Sequence, residues 1–192
     1  MQTRNIVLLI VAAVALAVVG FGGYFIGASG SRTTVASGVT SAGGGARSYD
    51  NKPLNYSSII EDLKAQLAEK PDDPDLVAQL GHAYFEQKRF DEASEYYKKT
   101  IELTGGNADM YNDLGLSMHY QGNSAGGLGY IDKGIKENPY NQRIWLTKGF
   151  LLAYGMDDIE GARKAWEKAA ALDPTSQIGK AAADYLSQVN SK

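Results

Sequence analysis

The two histidines, His82 and His119, are the first candidates for chemistry in this 192-residue chain, because imidazole changes charge near neutral pH. Glu86 and Asp113 lie close to them in sequence, and two imidazoles with a carboxylate could in principle hold a metal. Two nitrogen ligands are too few for a specific site, so histidines that hydrogen-bond a partner are the simpler reading. A serine–histidine–acid arrangement is not excluded by residue count, but no G-x-S-x-G stretch, Walker loop or H-E-x-x-H occurs. Gly127-Leu128-Gly129-Tyr130-Ile131-Asp132 departs from G-x-G-x-x-G at its last position, and no strand pattern precedes it. Cysteine is absent, which removes disulfides, thiolate nucleophiles and cysteine-held metals and leaves the redox compartment open. The expectation is a chain with no catalytic residues, no metal and no cofactor, and so no enzyme.

Charge is uneven. All 22 acidic residues lie from Asp50 onward, while of the 19 basic ones only Arg4, Arg32 and Arg47 come earlier. An acidic domain argues against nucleic acid as a partner, because phosphate binding needs lysine and arginine.

The larger part of the chain is organised by a spacing. Gly81, Gly115 and Gly149 are 34 residues apart, within Leu80-Gly81-His82-Ala83-Tyr84, Leu114-Gly115-Leu116 and Lys148-Gly149-Phe150-Leu151-Leu152. Val77, Tyr111 and Trp145 precede them by four residues, and Tyr97, Ile131 and Trp166 follow sixteen or seventeen residues later. This pattern resembles the tetratricopeptide repeat, a helix–turn–helix unit. The resemblance implies an all-α, right-handed superhelix of three repeats with flanking capping helices. To this the sequence adds one N-terminal transmembrane helix.

In that frame a half-repeat covers 54–70, with Ile59, Ile60, Leu63 and Leu67 on one face. Repeats follow at 74–107, 108–141 and 142–176, and a capping helix at 176–189 carries Ile178, Ala181, Ala182, Tyr185 and Val189. Packing positions are Val77, Leu80, Tyr84, Ala93, Tyr97 and Ile101 in the first repeat. In the second they are Tyr111, Leu114, Met118, Ile131 and Ile135, and in the third Trp145, Gly149, Leu152, Ala162, Trp166 and Ala169. The third repeat has one extra residue near Gly155-Met156-Asp157-Asp158, placed by its spacing in the inner turn. The second helix of repeat two is glycine-rich. Gly127 and Gly134 fall at small-residue positions where helices cross closely, whereas Gly126 and Gly129 do not, which raises either a soft element or drift on a tolerant surface.

Tetratricopeptide arrays bind mostly on the concave face, built from the first helix of each repeat. By spacing, that groove shows His82, Phe85 and Glu86, then Asn112, Leu116, His119 and Tyr120, then Arg143, Leu146, Phe150 and Tyr154, with Asp75 and Ala78 at one end. Its centre is apolar and aromatic, which suits an amphipathic helix or a short apolar peptide. Asn112 and Arg143 lie near positions that clamp a terminal carboxylate in chaperone-binding relatives, but the full set is missing and no clamp is expected.

Residues 1–28 read as a membrane anchor. No charge falls between Arg4 and Arg32, and Ile6–Ala28 would make about 34 Å of helix against a hydrocarbon core of about 30 Å. A cleaved signal peptide ending near Gly27-Ala28-Ser29 is the rival reading. Either sends the domain across the cytoplasmic membrane, with the N-terminus inside and the repeats in the periplasm or outside. Ala13, Ala17, Gly20 and Gly27 share one helix face where another membrane helix could pack, although small residues are common in such spans. Residues 29–53 are a Gly/Ser/Thr-rich flexible linker.

From Ile59 to Val189 the chain resembles the periplasmic tetratricopeptide subunit associated with the haem lyase of c-type cytochrome biogenesis. The resemblance rests on Ile60-Glu61-Asp62-Leu63-Lys64-Ala65-Gln66-Leu67, on Pro71-Asp72-Asp73-Pro74, and on Leu80-Gly81-x-x-Tyr84. It also rests on Ala165-Trp166-Glu167-Lys168 before Leu172-Asp173-Pro174-Thr175-Ser176. It implies a non-catalytic scaffold or chaperone that holds an apocytochrome C-terminal segment in its groove. The alternative is a structural assembly subunit of an envelope machine for secretion, pilus assembly or division.

Overall fold

A computed structural model describes residues 55–190. The expected anchor at 1–28 with its Ala13, Ala17, Gly20 and Gly27 face, the linker at 29–53, and Leu54 lie outside the described residues. Among the described residues there are eight helices and no strand. They are α1 (Tyr56–Glu69), α2 (Pro74–Glu86), α3 (Phe90–Thr104), α4 (Ala108–Tyr120), α5 (Ser124–Glu137), α6 (Gln142–Gly155), α7 (Ile159–Leu172) and α8 (Gln177–Asn190). No described helix is long and apolar enough to cross a membrane. Each helix packs on the next, and α6 also touches α4 and α8, so the layers stack in chain order.

The repeat step is written into the helix starts. Asp73, Asn107 and Asn141, each 34 residues apart, cap α2, α4 and α6. Their side chains accept from the backbone N–H groups of Leu76 at 3.2 Å, Met110 at 2.9 Å and Ile144 at 3.2 Å. Each satisfies a donor that a helix N-terminus leaves unpaired. Asn123 and Asp158 cap α5 and α7 in the same way. Arg89 is the exception at α3. It makes no cap bond, and its guanidinium lies over the Tyr84 ring instead, 4.6 Å from the centroid.

The inner turns all hold three residues between helices, and in each the middle one is left-handed: Lys88 (φ 59°), Gly122 (φ 85°) and Asp157 (φ 59°). In the first two, the third turn residue donates back to the carbonyl five positions earlier, Arg89 to Tyr84 and Asn123 to Met118, closing a Schellman motif. In the third, Asp158 donates to Leu152, six positions earlier. The extra residue of repeat three is therefore absorbed by α6, which runs one residue longer than α2 and α4, and not by the turn.

The three period-setting glycines lie where the two helices of a repeat touch. A Cβ on Gly81 would stand 2.8 Å from the Tyr97 ring, and one on Gly149 would stand 2.3 Å from Trp166 Nε1. On Gly115 it would meet the Ile131 side chain at 2.8 Å and the Gly127 carbonyl at 2.9 Å. Tyr97, Ile131 and Trp166 are fully buried against them. Val77, Leu80, Tyr84, Ala93, Leu114, Ala162 and Ala169 complete the core as expected. Tyr111 and Trp145 do not. They are half-buried at the rim, with the Tyr111 hydroxyl donating to the Gly105 carbonyl and Trp145 Nε1 donating to the Pro139 carbonyl, while Ile144 takes the interior place in repeat three. Leu152 gives way to Leu151 in the same manner. The flanks are covered by α1, through Ile60 and Leu63, and by α8, whose Tyr185 stacks on Trp166 at 4.9 Å between centroids.

Helix α5 separates its glycines by role. A Cβ on Gly127 would sit 2.4 Å from the Gly115 carbonyl, and one on Gly134 2.3 Å from Ile144 Cδ1. Gly126 is hemmed in by its own cap residue Asn123 and by Met118, whereas a Cβ on Gly129 would meet nothing within 4 Å. Gly129→Ala is expected to raise stability by about 1 kcal/mol through helix propensity alone. Gly127→Ala should lower it by about 1–3 kcal/mol through overpacking. Urea unfolding followed by circular dichroism distinguishes the two, and equal effects would remove this account of the helix.

Candidate functional site

Helices α2, α4 and α6 repeat along the stack, so residues 34 apart fall on the same rung. Phe85 and Glu86 close α2, His119 and Tyr120 close α4, and Tyr154 holds the rung of Glu86 and Tyr120 on α6. Phe90, at the start of α3, joins them.

The rings form one connected series. Phe85 meets Phe90 edge-on at 5.3 Å and Tyr120 at 5.9 Å. Phe90 stacks on Tyr120 at 4.7 Å. Tyr120 reaches Phe150 at 6.4 Å, and Phe150 reaches Tyr154 at 4.9 Å. Offset and edge contacts of this kind add to plain burial. Phe85, Phe90, Tyr120 and Tyr154 remain partly exposed, whereas Phe150 is only 8% exposed and forms the floor.

His119 belongs to this floor. Its Nδ1 lies 2.9 Å from Ser124 Oγ, and its ring packs edge-on to Phe150 at 5.1 Å. Burial pulls its pKa below the ordinary histidine value. Burial likewise pushes the Tyr120 and Tyr154 phenols up, and raises the Glu86 carboxyl above the usual carboxylate range.

The other half of the expected groove is polar and largely closed. Asp113 is 5% exposed and accepts from Arg143 at 2.5 Å and from Asn112 Nδ2 at 3.3 Å. His82 Nδ1 stands 3.9 Å from the same carboxylate and 3.0 Å from the Tyr97 hydroxyl. Burial first, then the charge of Asp113, holds that phenol well above its ordinary pKa, so it stays a neutral partner. Arg143 is thus occupied by Asp113 and offers no free cation to a carboxylate. His82 and His119 have separate partners and do not share a site.

Eleven residues were placed in the groove by spacing, and the structure divides them. Phe85 and His119 on one rung and Glu86, Tyr120 and Tyr154 on the next are partly exposed, with His82, Arg143 and Leu146 partly exposed elsewhere. Asn112 (0% exposed), Leu116 (4%) and Phe150 are buried instead. Asn112 is turned into the stack beside Asp113, Leu116 into the core, and Phe150 beneath its aromatic neighbours. Spacing missed Phe90 and Tyr97, which reach the site from a second helix, and Tyr185, which reaches it from the capping helix. An aromatic at the first position of a second helix was the only available signal for Phe90.

The buried imidazole of His119 makes stability depend on pH. Its folded pKa is lowered, so the unfolded chain takes up the proton first, and the stabilisation is complete above about pH 7 and declines as pH falls through about 6.5. His119→Asn is expected to flatten this decline in thermal melts between pH 7.5 and 5.5, and an unchanged slope would remove His119 as its source.

Residues 81–122 match the sequence model described as TPR repeat. No curated protein sequence matches the chain. Among solved structures, MamA from Desulfovibrio magneticus RS-1 is similar, with a TM-score of 0.58 at 18% identity over 71% of this chain and 84% of that one. The TPR domain of Arabidopsis OM64 superposes with a TM-score of 0.54 at 19% identity, over 60% and 94%. The first TPR of Spaghetti (RPAP3), bound to the HSP90 peptide SRMEEVD, gives 0.55 at 18% identity, over 62% and 90%. At these identities the likeness speaks for the fold. With the match at 81–122 and the glycine-locked helix pairs repeating on either side of it, the described residues have the tetratricopeptide-repeat fold.

Proposed function

We propose that this chain is a non-catalytic scaffold that holds a client peptide along the aromatic rung of its first helices. The observation that carries the reading is the series of partly exposed rings Phe85, Phe90, Tyr120 and Tyr154 over the buried Phe150. Large rings with polar tips are the usual anchors of peptide and protein interfaces. The relative solved with an HSP90 peptide shows that this fold can carry a peptide. The ligand must differ in chemistry, because a peptide ending in a carboxylate needs free cations and Arg143 is paired with Asp113.

In this reading residues 1–28 hold the domain on the outer side of a cytoplasmic membrane, and the client is an extracytoplasmic segment such as an apocytochrome C-terminus. The competing role, as an assembly subunit of an envelope machine, would place contacts on the convex face or the membrane span. The exposed pair Met156 and Ile159, at the turn between α6 and α7, is a feature such a role could use.

Benzoylphenylalanine placed at Tyr154 and, separately, at Lys98 on the second-helix side distinguishes them. In cells, Tyr154 is expected to crosslink a client and Lys98 not, and apocytochrome C-terminal peptides should compete for the Tyr154 adduct. Adducts confined to Lys98 would overturn the groove reading. Phe85→Ala/Tyr154→Ala should weaken client binding at least tenfold, by the loss of two aromatic anchors, while the helical signal persists.

A further inference from the structure

The rung has a chemistry more specific than apolar. Its members, in order along the stack, are Glu86, Tyr120 and Tyr154, with Tyr185 of α8 next to them. Burial, then the neighbouring Tyr154 and Tyr120, pushes the Tyr185 phenol up to about 12. None of the three has a hydrogen-bond partner among the described residues, and Glu86 has no ion-pair or hydrogen-bond partner there either. Among the described residues the unpaired side-chain atoms sealed from solvent are Asn112 Oδ1 and Ser117 Oγ and none of these phenols; Tyr120 and Tyr154 are partly exposed, while Tyr185 is 8% exposed and lies deeper. The rung therefore presents a line of unspent neutral donors, an aromatic floor, and one unpaired acid at its α2 end.

We propose that this rung binds a proline-rich segment in the polyproline II conformation, with a lysine or arginine of that segment opposite Glu86. This rests on the peptide-scaffold reading above and narrows it. Three properties favour such a ligand. A polyproline II chain has no internal hydrogen bonds, so its carbonyls remain free to accept from Tyr120, Tyr154 and Tyr185. An α-helix spends its carbonyls internally and would leave the phenols without acceptors along its length. Prolyl rings also pack flat on exposed aromatic faces, as in other aromatic grooves that read such segments. Finally, the half-buried Glu86 has no cation of its own, and an incoming ammonium or guanidinium would relieve its desolvation.

The test uses the full-length chain and three fluorescent twelve-residue peptides. One is proline-rich with a single arginine, one carries citrulline in place of that arginine, and one is an alanine-rich amphipathic helix. Fluorescence anisotropy is expected to show saturable binding of the proline-rich peptide. Tyr120→Phe/Tyr154→Phe, which keeps the rings and removes the hydroxyls, should weaken it about tenfold at an unchanged melting temperature. Glu86→Gln should abolish the preference for arginine over citrulline while leaving the citrulline peptide's affinity as it was. If the helical peptide binds as tightly or more tightly, or the phenylalanine double variant binds as well as the parent, the polyproline II assignment is wrong and the groove reading survives. If neither peptide binds, both fall.

Discussion

The absence of a side chain at three helix crossings governs the rest of the molecule. Gly81, Gly115 and Gly149 let the second helix of each repeat come close enough that Tyr97, Ile131 and Trp166 lie directly on the backbone of the first. At the middle crossing the partner also lacks a Cβ, since Gly127 faces the Gly115 carbonyl. Close approach fixes the tilt within each pair, and three similar pairs stack with a common offset. The rung of Glu86, Tyr120 and Tyr154 follows from that offset, because identical positions on successive first helices must line up.

Polar groups divide the inner surface into two regions with different tasks. Around Asp113, the carboxylate is surrounded by Arg143, Asn112 and His82, with Tyr97 behind. A buried carboxylate needs such company, since an unpaired charge in the interior costs several kcal/mol. Those groups are spent on each other and join the first helices of all three repeats. The aromatic rung has the opposite character. Its hydroxyls and Glu86 have no hydrogen-bond or ion-pair partners among the described residues, and the surface keeps its capacity for hydrogen bonds.

Much of this architecture was legible from residue spacing. The glycine step located the helix pairs, and the structure places their first-helix caps Asp73, Asn107 and Asn141 at the same 34-residue step. Side-chain direction within a helix was less so. Asn112 and Asp113 are adjacent, about 100° apart around the axis, and both were compatible with the inner face. Arg143 decides the matter by pairing with Asp113, an interaction between repeats that no local pattern encodes. Phe150 shows the same limit. Its position faces the groove, yet His119 and Tyr154 cover it, and that depends on rotamers. The insertion near Met156 was visible as a broken step, but spacing could not say whether helix or turn would absorb it.

The glycine-locked pairs and the polar joints between them differ in stiffness. Inside a pair, a buried ring or the branched Ile131 lies on bare backbone, which cannot slide without a clash. Between pairs, longer side chains bridge the gap: Gln121 to the Phe90 carbonyl, Asn141 to Asp109, Lys148 to Asp132, and Arg143 to Asp113. Such bridges lengthen by a rotamer change or an intervening water at small cost. The stack therefore behaves as firm segments on compliant couplings, a short spring whose pitch yields before its coils do. A load on its ends would be taken up at the joints, opening the groove while each helix pair stays intact.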